Sequence, residues 1–212
     1  MIAEWIYHFL YVITYIIAKS LFSYKAIGAE YIPKKGSAIL ASNHASYFDP
    51  PFVGLGVWRR INYLAKKEIF KNRFINYFLL TIIRTIPVNR EQMDKHTLKK
   101  IYQLLIKEDE ILLLFPEGTR TYSGDLMEPK RGIGMIAYTT KVPVIPVYVN
   151  GSYKIFPRNS KLIRLGPCKV FFGPPVNLET YYDQKKSKEL YRDISLRIME
   201  GIRELKQKSE EE

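Results

Sequence analysis

From residue 37 onward, short apolar runs alternate with stretches whose apolar residues recur at helical spacing. The runs SAILAS, EILLLF and CKVFF have the length and composition of buried strands. Because strands that alternate with helices favour a sheet covered by helices, this pattern predicts an α/β domain. VPVIPVYV predicts a further strand, in which Pro143 and Pro146 favour an edge position or a distorted strand.

Three stretches between and after these runs predict helices. DKHTLKKIYQLLIK has apolar residues at helical spacing, with Asp94 or Thr97 as a candidate cap. KRGIGMIAYTTK predicts a short helix, and its GIG sequence indicates helix packing or a close backbone approach. The C-terminal stretch predicts an amphipathic helix, because one stripe carries Leu190, Ile194, Ile198, Ile202 and Leu205.

The N-terminal run WIYHFLYVITYIIA, residues 5–18, is apolar except for His8 and Thr14. It is shorter than the ~20 residues that usually span a bilayer. A cleavable signal is not expected, because Glu4 is the first charge and no A-x-A-like site follows. We favour a helix that lies in one membrane leaflet, with Trp5 and the tyrosines at the interface. A buried core helix and a single span are the alternatives.

A second apolar stretch, IFKNRFINYFLLTIIRTIPV at 69–88, is interrupted by Lys71, Arg73 and Arg84. One interpretation is an amphipathic helix that extends the apolar surface of the N-terminal run. The other is a helix packed on the domain core.

The formal net charge is +12, which favours polyanionic partners: nucleic acid, anionic lipid or phosphorylated substrates. The basic residues stand in small groups such as Lys130-Arg131, each of which is equally well explained as a solvated surface pair. One cysteine excludes a disulfide within the chain, and with three histidines it argues against a His/Cys metal cage. Cys168 is expected to be a buried structural thiol.

SNHASYFDP, residues 42–50, follows the first predicted strand and places Asp49 five residues after His44. A turn fixed by the prolines can fold the carboxylate back onto the imidazole, since a residue before proline avoids the α region. If the carboxylate accepts from one ring N–H, the other nitrogen is a base for a substrate hydroxyl. The alternatives are that Ser46 and Asp49 cap a helix, or that His44 is a hydrogen-bonded turn residue.

FPEGTR follows the predicted strand EILLLF, and the C-terminal ends of strands are where α/β proteins bind ligands. Gly118 permits close backbone approach, and Arg120 offers a bidentate fork for a phosphate. The alternative is a surface turn with a Glu117–Arg120 ion pair. Arg90 and Lys66 are further candidate phosphate contacts, and each is also explained as an ordinary solvated residue. The sequence contains no G-x-S-x-G, Walker A or G-x-G-x-x-G motif.

Four motifs in order, NHASYFD, RTIPVNR, FPEGTR and VIPV, resemble those of the glycerolipid acyltransferase family, most closely its bacterial 1-acyl-sn-glycerol-3-phosphate acyltransferases. The resemblance extends from about residue 24 to about residue 177. The family usually has glycine where Arg84 stands and an acid where Asn89 stands, whereas Arg90 matches. The resemblance implies a mixed central sheet flanked by helices, as in glycerol-3-phosphate acyltransferase, behind an N-terminal apolar membrane-associating helix. It divides the chain into that helix at 1–24 and an α/β catalytic domain at 25–212.

The resemblance also implies a reaction. His44 would be the general base on the free hydroxyl of lysophosphatidate, and Asp49 would orient it and stabilise its charged form. The hydroxyl would attack the thioester carbonyl of acyl-ACP or acyl-CoA with no acyl-enzyme, giving phosphatidic acid. Three residues would support the geometry of the motifs: Asn43, Ser46 and Pro116. The glycerol-phosphate moiety would be bound by the FPEGTR loop with two more cations: Glu117, Gly118, Thr119, Arg120, Arg90 and Lys66.

No metal or organic cofactor is implied. The expected partners are lysophosphatidate and other membrane lipid, an acyl-ACP or acyl-CoA donor, and an anionic membrane surface, with no nucleic acid. The expected location is the cytoplasmic face of the bacterial inner membrane, as a monotopic or peripheral protein. The alternatives are another acceptor (glycerol 3-phosphate, another lysophospholipid or a lyso-aminolipid) or a non-catalytic basic protein that binds membranes. From charge alone, a nucleic-acid binder is a third class, although no recognition motif supports it.

Overall fold

A computed structural model describes residues 2–88 and 94–211. Seven strands form one sheet in the order β1-β7-β6-β2-β5-β3-β4. Neighbouring strands are parallel except for β6 and β7, which are antiparallel, so the sheet is mixed. The predicted α/β class with a mixed central sheet is confirmed. The strands are β1 Lys25–Ile27, β2 Ala38–Ser42, β3 Ile61–Lys66, β4 Thr85–Val88, β5 Ile111–Leu114, β6 Val144–Asn150 and β7 Lys169–Phe172.

Helices cover both faces of the sheet. The α-helices are α1 Ile2–Phe22, α2 Asp49–Leu55, α3 Arg73–Tyr77, α4 Lys95–Lys107, α5 Gly132–Thr140, α6 Ser152–Ile155, α7 Glu179–Tyr182 and α8 Lys188–Glu211. The predicted stripe of α8 is buried along its length. Asp94 caps α4, since its carboxylate accepts from the Thr97 N–H at 2.7 Å.

Alternation along the strands divides the apolar residues into two cores. In β2, Ile39 and Ala41 face the core that includes residues of α4, α5 and α8. Ala38 and Leu40 face the core that includes residues of α1 and α2. Successive strand side chains point to opposite faces, so each central strand contributes to both cores and is apolar throughout.

The prediction of an edge position for the proline-containing strand is wrong, because β6 lies between β7 and β2. Pro146 is tolerated there because it lies just beyond the last residue pair of the β6–β7 ladder, Val147 and Phe172. Its carbonyl accepts from the N–H of Gly173, which is the first residue after β7. The N–H that proline lacks would point to the same side as that carbonyl, so only the end of the ladder is affected.

Only one side of helix α1 packs against the rest of the protein. Ala18 and Phe22 are buried, and the Tyr11 hydroxyl donates to the Leu55 carbonyl at 2.8 Å. The other side leaves Trp5 78% and Phe9 65% exposed. The alternative of a buried core helix is therefore wrong. By length and composition α1 is also long and apolar enough to cross a membrane, which by itself is weak evidence for a span.

The second apolar stretch is not one amphipathic helix. It forms a 3₁₀ turn at Lys67–Lys71, the short helix α3, a π-helical turn at Phe78–Ile82 and then β4. Asn72 caps α3 by accepting from two backbone N–H groups. Phe74 is 86% exposed, so this stretch does present apolar side chains to the surroundings. It also contacts α1, which makes the two exposed apolar surfaces neighbours.

Candidate active site

The turn after β2 folds Asp49 back onto His44. Asp49 is the first residue of α2 and is completely buried, and its Oδ2 lies 2.8 Å from Nδ1 of His44. The same oxygen accepts from the backbone N–H groups of Ala45 and Ser46, each at 2.7 Å. A carboxylate oxygen only accepts, so Nδ1 is the protonated nitrogen and the lone pair is on Nε2. This is the geometry of an oriented base.

Ser46 supports the turn and does not cap α2. Its hydroxyl donates to the Phe156 carbonyl at 2.8 Å and accepts from the Phe48 N–H at 3.1 Å. The residue at the N-cap position of α2 is Phe48, and it makes no side-chain cap hydrogen bond. Ser46 thus fixes the turn against the segment after α6.

Asn43 continues the sheet beyond the end of β2. Its side-chain amide accepts from the Val149 N–H at 2.7 Å and donates to the Val149 carbonyl at 3.2 Å. These two bonds imitate a strand pair with β6. These bonds therefore fix the backbone position from which the His44 turn starts.

Glu117 connects the histidine turn to the FPEGTR loop. Its Oε1 accepts from the His44 N–H at 3.1 Å, and its Oε2 accepts from the Met127 N–H at 3.3 Å. The His44 carbonyl accepts from the Thr121 N–H at 2.9 Å, so the backbone of the histidine is held on both sides. Burial raises the pKa of Glu117 to about 7, although both backbone hydrogen bonds oppose this shift. Both oxygens of this carboxyl are thus engaged by backbone N–H groups, one of which is that of His44.

Arg120 lies beside the histidine turn with an unsatisfied donor. Its guanidinium carbon is 3.4 Å from the centroid of the Tyr47 ring. Its Nη1 is buried and has no hydrogen-bond partner among the described residues. The ion pair with Glu117 that sequence reasoning left open is not formed between these two described residues. Because a buried unsatisfied donor is costly, Arg120 is suited to an anionic ligand.

The rest of the FPEGTR loop is shaped by its neighbours. Gly118 has φ +70°, and a Cβ there would stand 2.9 Å from Cδ of Lys130. The Pro116 carbonyl accepts from the Lys130 N–H at 2.8 Å. The Thr119 hydroxyl accepts from Nη1 of Arg158 at 3.2 Å. Lys130 therefore lies over this loop, a contact that sequence reasoning did not find.

The other two predicted phosphate contacts are Lys66 and Arg90. Lys66 is the exposed last residue of β3 and is not among the described residues that line the cavity beside His44. Arg90 lies outside the described residues.

A cavity of about 1070 Å³ opens beside His44, close to the upper limit of the usual size of ligand sites. The imidazole stacks on Phe115, another lining residue, with ring centroids 3.9 Å apart. The apolar wall comes from β3, β4, β5, α4 and α5, and includes Leu64, Val88, Leu98, Leu113, Ile133 and Ile136. Four cations also line the cavity, at Lys130, Arg131, Lys188 and Arg192. The sequence indicates the first two only as a solvated surface pair. Their proximity to the two cations of α8 arises from folding, because the two pairs lie far apart in the chain.

An oriented base at the carboxyl ends of the strands of an α/β sheet, a buried arginine nitrogen without a partner among the described residues and a large apolar cavity are together the features of an enzyme's active site. The model of the acyltransferase family matches residues 23–150, more than half of the chain. The chain belongs to the acyltransferase family.

Sequence and structure comparisons with named proteins are consistent with membership of this family. The chain is 32% identical over 186 residues to the 1-acyl-sn-glycerol-3-phosphate acyltransferase of Bacillus subtilis (strain 168), covering 87% of this chain and 88% of that protein. It is 26% identical to the Streptococcus pneumoniae protein of the same name, covering 82% of this chain and 62% of that one. The crystal structure of the 1-acyl-sn-glycerophosphate (LPA) acyltransferase PlsC from Thermotoga maritima superposes with a TM-score of 0.73 at 26% identity, covering 96% of this chain and 82% of that chain.

Proposed function

We propose that this protein transfers a fatty acyl group from a thioester donor to the free hydroxyl of 1-acyl-sn-glycerol 3-phosphate, forming phosphatidic acid. The observation that carries the proposal is the His44–Asp49 pair at the edge of an apolar cavity. The names of the relatives support this acceptor. The donor is acyl-ACP or acyl-CoA, which share the thioester that this chemistry requires.

His44 acts as the general base. Its Nε2 takes the proton of the acceptor hydroxyl as the oxygen attacks the thioester carbonyl. Asp49 accepts from Nδ1 and stabilises the imidazolium that forms. The carbon–sulfur bond breaks and the thiolate leaves, taking the proton back from the imidazolium. Asn43 and Ser46 touch neither substrate in this mechanism but hold the histidine turn in place. Glu117 is predicted from the sequence to contact the glycerol phosphate; because both its oxygens accept from backbone N–H groups, we propose that it holds the His44 backbone instead.

The acceptor phosphate binds at Arg120. Nη1 of this residue has no hydrogen-bond partner among the described residues, which supports the assignment, because a phosphate oxygen would satisfy it. Gly118 and Thr119 place the backbone of the same loop next to it. Lys66 and Arg90 are retained as predicted contacts of the same phosphate.

The membrane supplies the acceptor through the exposed apolar side of α1. Trp5 and Phe9 are exposed on that side, and the stretch around Phe74 adjoins it. A net charge of +12 favours an anionic surface. We therefore propose a monotopic or peripheral protein on the cytoplasmic face of the inner membrane, with residues 1–24 as its membrane-associating segment and 25–212 as the catalytic domain.

The test is acyl transfer by the purified protein, given acyl-ACP or acyl-CoA with lysophosphatidate. We expect His44→Ala to lower kcat by about 10²–10⁴-fold, the usual contribution of a positioned base. His96→Ala is the matched control, since His96 is exposed in the first turn of α4, and its kcat should be unchanged.

Three outcomes would contradict parts of this proposal. Full activity of the His44→Ala variant with an unchanged circular dichroism spectrum would remove His44 as the base. Transfer to glycerol 3-phosphate, another lysophospholipid or a lyso-aminolipid, but not to lysophosphatidate, would change the acceptor. No transfer to any acceptor of this panel would leave a basic protein that only binds membranes.

A further inference from the structure

The cavity beside His44 has a cationic rim, formed by Lys130, Arg131, Lys188 and Arg192. The first two precede α5, and the last two lie one turn apart on α8. All four side chains are exposed to solvent. Within the described chain, none of them takes part in a salt bridge. Their charges are therefore available to a ligand that enters the cavity.

Among the described lining residues, Glu189 supplies the one carboxylate at this rim. Its own backbone N–H and the Ser187 side chain, together with the charges of Lys188 and Arg131, lower the pKa of Glu189. Four cations against one carboxylate leave a net charge of +3. Gly132 and Ile133, the first residues of α5, also line the cavity, so the positive end of that helix dipole adds to the field. The rim is thus a strongly anion-attracting entrance to an apolar cavity.

We propose that the cationic rim binds the phosphate of the phosphopantetheine arm of the acyl donor. This proposal rests on the proposed acyl transfer. The phosphopantetheine arm is common to acyl-CoA and acyl-ACP, and its phosphate is separated from the thioester by an uncharged chain. His44 and the four cations line the same cavity, so a donor whose thioester carbonyl lies next to His44 can place its phosphate at the rim.

The position of the rim favours the donor over the acceptor. Nη1 of Arg120 has no partner within residues 2–88 and 94–211 and suits the acceptor phosphate, but Arg120 is not among the described residues that line the cavity. Two residues of the rim lie on α8 and two directly precede α5, and both helices pack on the sheet face opposite to α1. An acceptor lipid arrives from the apolar side of α1, whereas a thioester donor arrives from water. The two anionic substrates then meet different cations, Arg120 for the acceptor and the rim for the donor.

The experiment reverses two of the rim charges in the Lys188→Glu/Arg192→Glu variant. Its control is Lys206→Glu/Lys208→Glu, which makes the same charge change on the same helix away from the cavity. Steady-state kinetics use acyl-CoA, acyl-ACP and an acyl-N-acetylcysteamine thioester, which has no phosphate. We expect KM to rise at least about tenfold for acyl-CoA and for acyl-ACP, equivalent to ~1.4 kcal/mol. The kcat at saturating donor, KM for lysophosphatidate and kcat/KM for the phosphate-free thioester should stay unchanged, and so should every parameter of the control.

Other results would overturn the proposal. A higher KM for lysophosphatidate alone would assign the rim to the acceptor. A higher KM for acyl-ACP but not for acyl-CoA would indicate recognition of the acidic carrier protein instead of the phosphate. Equal changes in the control variant would indicate a general effect of net charge, and unchanged KM values for both donors would leave the rim without this function.

Calorimetric binding of coenzyme A separates this proposal from the proposed function. We expect the rim variant to bind coenzyme A at least about tenfold more weakly than the wild-type and control proteins, whether or not acyl transfer is measured. If the wild-type protein transfers no acyl group to lysophosphatidate while this difference holds, the acceptor assignment fails and the rim assignment stands. If transfer occurs and the three affinities are equal, the rim assignment fails alone.

Discussion

Two single residues fix the position of His44, one through its ring and the other through its backbone. The ring of His44 is oriented by Asp49, and its backbone N–H is held by Glu117, 73 residues further along the chain. Such a carboxyl is unusual because it is buried against two N–H donors that favour its charged form, yet burial raises its pKa to about 7. Its protonation state therefore changes close to neutral pH.

Glu117 is expected to make stability fall as pH rises from about 4.5 to about 7. The pKa in the folded protein, about 7, is above the ordinary value of 4.5, so the folded state binds the proton more tightly within that interval. This contribution is fully present below pH 4.5 and is lost above pH 7, and it amounts to at most about 3 kcal/mol. Glu117→Gln should remove it. The measurement is the free energy of unfolding at pH 5 and pH 8, from denaturant titrations in detergent.

Glu108→Gln is the control for that prediction, because Glu108 is exposed at the end of α4. It should keep the pH dependence of the wild-type protein. If Glu117→Gln also keeps the full wild-type difference between pH 5 and pH 8, then this carboxyl does not titrate in the interval.

Arg84 is a position at which this sequence departs from the family pattern. The family usually has glycine there, and the residue has φ +55°, in the left-handed region that favours glycine. Its guanidinium pairs with Glu110 and lies 3.7 Å from the Glu4 carboxylate of α1. An arginine at this position therefore combines an unfavourable backbone conformation with ion pairs that glycine could not form.

At the scale of elements, the contact of α5 with α8 depends on one glycine. A Cβ at Gly134 would lie 1.9 Å from the Tyr191 carbonyl oxygen of α8. The Gly134 N–H also donates to the Ser195 hydroxyl at 3.0 Å, which itself donates to the Tyr191 carbonyl at 2.8 Å. The expectation of a close backbone approach in the GIG sequence is confirmed for Gly134.

Gly134→Ala should destabilise the protein by about 1–3 kcal/mol, the usual cost of overpacking, because backbone atoms must move to admit the methyl group. Gly132→Ala in the same helix is the matched control, since a Cβ there has no neighbour within 4 Å. It should be neutral or slightly stabilising. The free energy of unfolding measures both. Equal stability of the two variants would contradict the close packing of α5 on α8.

The elements that sequence periodicity predicted best are long or fully apolar. β2, β5 and α8 follow their predicted runs because burial on one or two sides dictates their composition. β1 and β3 were not predicted, since each is short or carries polar residues that no period organises. The central position of β6 was also missed, because the end of β7 that accommodates Pro146 is visible only in the assembled sheet.

At the scale of the whole molecule, the two faces of the sheet have different surroundings. α1 leaves large apolar side chains exposed on one face, whereas α4, α5 and α8 cover the other. An apolar side chain gains roughly 1.5–3 kcal/mol on full burial. The exposed side of α1 is therefore the side expected to enter a membrane.

Trp5→Gln/Phe9→Gln should weaken binding to vesicles of phosphatidylglycerol and phosphatidylcholine by about 100-fold or more, since two large apolar contacts are lost. Co-sedimentation measures the partitioning. Tyr102→Gln/Ile106→Gln on α4 is the control, because those side chains are also exposed but lie on the other face. Unchanged binding of the α1 variant, or equal losses for both variants, would refute a membrane contact through this side of α1.

The sequence by itself determined the fold class, the amphipathic C-terminal helix, the apolar N-terminus and the His44–Asp49 pair. These are properties of local composition and short spacing, and backbone geometry converts them directly into structure. Only the tertiary structure decided that Glu117 accepts from the backbone N–H of His44, that Nη1 of Arg120 has no partner in the described part of the chain, and that four cations line one cavity. Those relations join residues far apart in the chain, and they exist only once the sheet brings the loops at its carboxyl edge together.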